Sequence, residues 1–140
     1  MNQMPPARVI LVEDDEDHAH LITRSLRRSE VDCEVQRFAD GVAVTEYLET
    51  AGTLPDVILL DLNLPKKGGL EVLGEIRGNA RLGHLNVVIL STSTTQVDRE
   101  SAYEAGASSY LVKPVDFEKF QEMISATINY WGRWNRTSAT

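Results

Sequence analysis

The chain is nearly devoid of sulfur chemistry: of 140 residues, only Cys33 is a cysteine. One thiol excludes an internal disulfide framework and a cysteine-based metal site, and Cys33 reads as a small core residue in a reducing compartment. No apolar run approaches the ~18 residues of a membrane span. Met1 to Ala7 lacks the basic cluster and apolar segment of a secretory leader. A soluble, cytoplasmic chain without membrane contact is expected. Positive charge is in deficit, with 14 Lys and Arg against 21 Asp and Glu and a net charge of −7. So acidic a protein lacks the field that supplies most non-specific nucleic-acid affinity, and direct DNA binding is not expected. No GxxxxGK[ST] or GxGxxG follows an apolar run, so ATP binding is not indicated. The histidines are few and poorly placed for metal. His18 and His20 stand two apart, which on a helix points them in different directions. Both are expected on the solvated surface, although His18, which begins the first helix, can still lie near the acidic strand ends, and His84 is expected in a loop.

What is present is alternation. The length suits one domain with a real core, and 42% hydrophobic and 25% charged residues are ordinary for a globular protein. Four apolar runs each end in a polar group: Val9 to Val12 in Glu13-Asp14-Asp15, Val57 to Leu60 in Asp61, Val87 to Leu90 in Ser91-Thr92, and Tyr110 to Val112 in Lys113-Pro114. Unbroken β-branched and Leu runs of this length read as parallel strands buried on both faces. Cys33 to Arg37 is a further short strand. Between the strands, helical spacing predicts helices over residues 16–29, 41–50, from Gly68-Gly69 through Ile76, 97–105, and after Pro114 with Phe117, Phe120, Ile124, Ile128 and Trp131 on one face. Asp14 or Asp15 can cap the first of these. The pattern is (βα)5, hence an α/β doubly wound parallel sheet. The expected organisation is a flexible segment over 1–7, one domain over 8–130 and an aromatic tail over 131–140. Carboxyl ends of parallel strands lie along one edge, where open α/β sheets bind ligands. Carboxylates, a hydroxyl and an amine gathered there form a place for a divalent cation beside a carboxylate and an incoming phosphoryl group.

VEDD, LLDLNLP, LSTS and YLVKP, in that order at strand ends, resemble the receiver domain of bacterial two-component response regulators over roughly residues 8 to 130. The resemblance implies the flavodoxin-like strand order 2-1-3-4-5. Asp61 is the expected phosphoacceptor, since a carboxylate can attack phosphorus and hold the phosphoryl group as a mixed anhydride. Two anions must then approach each other, so Asp14 is expected to place a second carboxylate on a Mg²⁺ ion, which favours oxygen ligands and retained waters. By resemblance, the Asn63 main-chain carbonyl completes the protein ligands and Glu13 contributes through water. Lys113, at the sheet edge, can pair with a phosphoryl oxygen as a point charge. Ser91 offers a hydroxyl to another, in the Thr/Ser position of receivers. Tyr110 matches the switch aromatic that turns inward with that hydroxyl; without the resemblance it would be a strand aromatic packing a sheet face. The resemblance also implies a cis Lys113-Pro114 bond, and Asn63 and Ser93 fall where receivers tune hydrolysis.

The function implied is a stand-alone receiver that takes a phosphoryl group from a sensor histidine kinase and signals by contact with a downstream protein. It would be an acceptor with slow self-dephosphorylation rather than a turnover enzyme. DLNLPKKGG, Arg81-Leu82-Gly83 and the tail Tyr130-Trp131-Gly132-Arg133-Trp134 resemble the small regulators paired with bacterial phytochromes, which implies a bacteriophytochrome as the kinase. The tail aromatics predict a homodimer through helix four, strand five and helix five, with the tail packing against the partner. Alternatively, Trp131 folds back over the end of the core. Two rival functions stand beside this one. A haloacid-dehalogenase-type phosphatase also uses a strand-end aspartate, but that family wants a second Asp two residues on, where this chain has Asn63. An interaction module of receiver fold that is never phosphorylated is the other.

Overall fold

The structure, a computed structural model, describes residues 5–135. Five strands, β1 (Ala7–Val12), β2 (Cys33–Phe38), β3 (Val57–Asp61), β4 (Val87–Ser91) and β5 (Ser109–Val112), form one parallel sheet in the order β2-β1-β3-β4-β5. The helices are α1 (Glu16–Arg28), α2 (Gly41–Thr50), α3 (Gly69–Gly78), α4 (Gln96–Glu104) and α5 (Phe117–Asn129). The flavodoxin-like α/β fold is therefore as expected.

Successive side chains of a strand point to opposite faces, so each apolar run feeds two cores. Ile10, Val12, Ile58, Leu60, Val87 and Ile89 pack with Val44, Leu48, Val72, Leu73, Ile76 and Ala102 of α2, α3 and α4. Val9, Leu11, Val57, Leu59, Val88 and Leu90 pack with Ile22, Leu26, Phe120, Ile124 and Ile128 of α1 and α5. Strands β3 and β4 are buried at every residue, whereas edge strand β2 alternates between half-buried and exposed positions. Cys33, expected in the core, is half-buried because it begins that edge strand; its Sγ donates to the Val31 carbonyl at 3.2 Å.

Caps fix where the helices begin. Asp15 Oδ1 accepts from His18 N at 2.9 Å, Asp40 Oδ1 from Ala43 N at 2.8 Å, and Asp116 Oδ1 from Glu118 N at 2.8 Å. Such caps are each worth ~1 kcal/mol. Asp15 thus takes the cap and leaves Asp14 out of it. Helix α3 starts against the end of β3: Gly69 N donates to the Leu62 carbonyl at 3.0 Å, and a Cβ on Gly69 would stand 2.5 Å from the Asp61 carbonyl oxygen. Only glycine allows this approach.

Beyond α5 the chain makes a five-residue π-helical turn, Tyr130–Trp134. Gly132 is buried there, and a Cβ on it would meet Ile128 Cδ1 at 2.7 Å and Ala7 Cβ at 3.1 Å. Trp131 packs on the α1/α5 core and meets Tyr130 edge to face at 4.8 Å. Of the two expectations for Trp131, folding back over the core is the one adopted. Tyr130 and Trp134 remain exposed. The expected terminal segments over 1–7 and 131–140 lie partly outside the described residues.

Candidate functional site

Strand register brings the strand-end residues level. Val12 pairs with Leu60, Asp61 with Leu90, and Ser91 with Val112, so Glu13, Asp61 and Lys113 follow one another across the C-terminal edge. Alternation then sorts them. Glu13 continues the parity of Leu11, Asp61 that of Leu59, and Lys113 that of Leu111, all of which face α1 and α5. Ser91 and Tyr110 share the parity of Ile89 and face α3 and α4.

On the first face the Lys113 ammonium lies 2.5 Å from Glu13 Oε1 and 3.9 Å from Asp61 Oδ2, with Glu13 only 1% and Lys113 7% exposed. A buried charge needs a partner, and here lysine and glutamate supply each other's. Glu13, Asp14 and Asp61 each offer a carboxylate oxygen, and these oxygens all lie within 4.8 Å of one another. Hard oxygen donors so grouped fit a divalent cation. The electrostatics agree. Burial raises the Asp61 pKa from 3.8 to about 7, with Glu13 beside it adding to the rise and Lys113 opposing it. A cation in the cluster would relieve that repulsion. Asn63 N donates to Asp61 Oδ1 at 3.3 Å, which places Asn63 on the β3–α3 loop beside the cluster.

On the second face Ser91 Oγ accepts from Ser93 N at 3.0 Å, and the Tyr110 hydroxyl donates to the Ser93 carbonyl at 2.9 Å. Ser91 is fully buried and Tyr110 nearly so. The β4–α4 loop thus links the two through one residue, with the Arg99 guanidinium 5.6 Å from the Tyr110 ring centre.

Three features depart from the sequence reading. His18, expected at the surface, is half-buried against Lys113, with Nδ1 3.0 Å from Nζ. Its place on the first turns of α1 carries the imidazole back over the carboxyl edge, as its position near that helix start allowed. Arg37, at the end of β2, donates from Nε at 3.0 Å and from its second terminal nitrogen at 2.8 Å to the Glu13 carbonyl, pinning the loop that carries the acidic pair. An arginine in an alternating edge strand carries no sequence signal for that role. The Lys113-Pro114 bond is trans, as is every peptide bond among the described residues. Trans is the form an X-Pro bond prefers by about 0.5–1 kcal/mol, and it leaves Lys113 in reach of Glu13.

A five-stranded sheet in this order, with an acidic cluster and a buried lysine at its carboxyl edge, defines a receiver. The family pattern described as the response regulator receiver domain matches residues 9–125, and the chain belongs to that family. Among its relatives is the probable methanogenesis regulatory protein FilR2 of Methanothrix harundinacea, 40% identical over 94% of this chain and 88% of that protein. Response regulator Rcp1 of Synechocystis is 36% identical over 91% and 90%. The crystal structure of the Mn²⁺-bound form of Rcp1 superposes with a TM-score of 0.84, covering 91% of this chain and 96% of that one at 35% identity. That of the phosphorylated cyanobacterial phytochrome response regulator RcpA gives 0.86, over 91% and 94% at 34% identity. Among the described residues no helix is long and apolar enough to cross a membrane.

Proposed function

We propose that Asp61 is the phosphoacceptor of a two-component relay, working in the cytoplasm on a phosphohistidine of a sensor histidine kinase. An Asp61 carboxylate oxygen attacks phosphorus, the P–N bond of the phosphohistidine breaks, and the imidazole leaves with the electron pair. The product is an acyl phosphate on Asp61. Asp14, Asp61 and the Asn63 carbonyl would hold Mg²⁺, with Glu13 acting through water. The ion, when bound, offsets the negative charge that accumulates as donor and acceptor meet. Lys113 supplies the second positive charge, and Ser91 a hydroxyl for a phosphoryl oxygen.

The observation that carries this reading is the placement of Lys113: its ammonium is neutralised by Glu13 yet stands 3.9 Å from Asp61, close enough to follow a new anion there. Phosphorylation adds up to about two negative charges at that point. Ser91, drawn towards them, would pull on Ser93, and Ser93 on Tyr110, changing the surface of α4, β5 and α5 that a downstream protein reads. Exposed Val97 and Tyr103 on α4 support that surface as the interface of a homodimer as well. A bacteriophytochrome is the kinase favoured by the likeness to the phytochrome response regulator RcpA. Asn63, where a dehalogenase-type phosphatase would have its second aspartate, weighs against turnover chemistry.

The test is labelling by acetyl phosphate or a phosphorylated kinase in the presence of Mg²⁺. Wild-type protein should take one phosphoryl group, and Asp61→Asn none while remaining folded.

A further inference from the structure

Lys113 has two close neighbours, and only Glu13 is needed to neutralise it. The other, His18, comes from a different element, the first turn of α1, and its Nδ1 lies 3.0 Å from the lysine Nζ. An ammonium has three N–H donors and no acceptor. In this contact Nδ1 must therefore accept, which puts the imidazole proton on Nε2. One donor goes to Glu13 Oε1 at 2.5 Å and one to His18 Nδ1. The third has no hydrogen bond among the described residues, and the nearest anion beyond Glu13 is Asp61, at 3.9 Å.

A lysine side chain is otherwise free to rotate about four bonds and about its terminal C–N axis, and each freedom lost in advance is one the reaction need not remove. Glu13 alone fixes a distance; Glu13 and His18 together fix an orientation. The backbone holds His18 firmly as well, since its N–H donates to the capping Asp15 at 2.9 Å. The ring forms one wall of a cleft of about 360 Å³ shared with Leu21, Thr92, Pro114, Val115 and Phe117. The imidazole is half-buried beside the ammonium.

We propose that His18 is a positioning residue for phosphoryl transfer: by accepting one donor of Lys113 it aims the remaining one at the phosphoryl oxygens arriving on Asp61. The inference rests on Asp61 being the acceptor. Among the described residues His18 makes no hydrogen bond to a proposed ligand of the cation.

The test compares His18→Leu, which keeps the bulk and removes the acceptor, with His18→Asn, whose Oδ1 can stand where Nδ1 does. Phosphorylation by acetyl phosphate at saturating Mg²⁺ should slow about ten- to a hundredfold in His18→Leu, the scale of one lost charge-assisted hydrogen bond. It should recover most of that in His18→Asn. The Mg²⁺ concentration giving half-maximal rate should stay the same in all three. Independently of labelling, nitrogen NMR of the metal-free wild-type protein should show an unprotonated His18 Nδ1 coupled to the Lys113 ammonium. A wild-type rate in His18→Leu, an Asn variant as slow as the Leu variant, or a proton on Nδ1 would each overturn the assignment. If wild-type protein takes no label, the reading of Asp61 falls by itself, and the nitrogen resonances alone uphold or overturn the His18 contact.

Discussion

Lys113 and Glu13, one hundred residues apart in sequence, meet at 2.5 Å with both side chains buried. Breaking a buried pair by removing one partner is costly because the other charge is stranded. Lys113→Ala should therefore lower the stability of the metal-free protein by about 3 kcal/mol in urea unfolding. Adding Glu13→Gln should recover a large part of that, since a neutral amide has no charge to strand. Equal destabilisation by the single and double variants would mean that packing of the lysine stem, not its charge, matters here.

Asp61 makes stability depend on pH, with a sign opposite to that of a salt-bridged carboxylate. Its pKa is raised from 3.8 to about 7 by burial and by Glu13. Between those values the native chain keeps a proton that the unfolded chain has lost, so stability of the metal-free protein falls as pH rises through this window, and the contribution levels off above it. At pH 8, Asp61→Asn should be more stable than wild type by on the order of 2–4 kcal/mol, and the two should converge at about pH 4. Urea midpoints measured in chelator across that range check it.

Cation binding should reverse that effect. Mg²⁺ at a hundred times its Kd should add about 2.7 kcal/mol to the stability of the wild-type protein. Asp14→Ala removes one of the two direct carboxylate ligands proposed, and the Mg²⁺ needed for the same thermal shift should rise by orders of magnitude. Because Asp15, not Asp14, caps α1, the variant should keep its metal-free melting temperature.

Tyr110 reports the second face of the sheet. Tyr110→Phe deletes the bond to the Ser93 carbonyl and should cost about 1 kcal/mol. Hydrogen exchange should then quicken in the loop around Thr92 and Ser93, while phosphorylation of Asp61 proceeds. Unchanged exchange there would remove Tyr110 from the proposed switch.

The elements could be read in the sequence because the sheet interior is written as uninterrupted apolar runs, and the site because each run stops at a charged or hydroxyl residue. Val57 to Leu60 followed by Asp61 is an unambiguous strand end. What could not be read depends on geometry that period and spacing do not encode. Asp14 and Asp15 are adjacent and chemically identical, and only the turn into α1 decides which caps and which faces the cluster. His18 and His20 were both expected at the surface, yet α1 turns one to Lys113 and the other to solvent. Arg37 reaches Glu13 across an edge-strand corner, a contact between residues 24 apart in sequence. Trp131 was ambiguous because an aromatic serves a core and an interface equally well; in the π-helical turn, with Gly132 against Ala7, it packs on the core.

The most direct measurement is to trap the phosphoryl group where it forms. Protein incubated with acetyl phosphate and Mg²⁺, then reduced with borohydride, converts an aspartyl phosphate to homoserine, which peptide mass spectrometry assigns to a position. The conversion should fall on Asp61 alone, and disappear on chelation of the metal. Conversion at Asp14 or another carboxylate, or a phosphoryl group found stably on Ser91 with Asp61 intact, would contradict it.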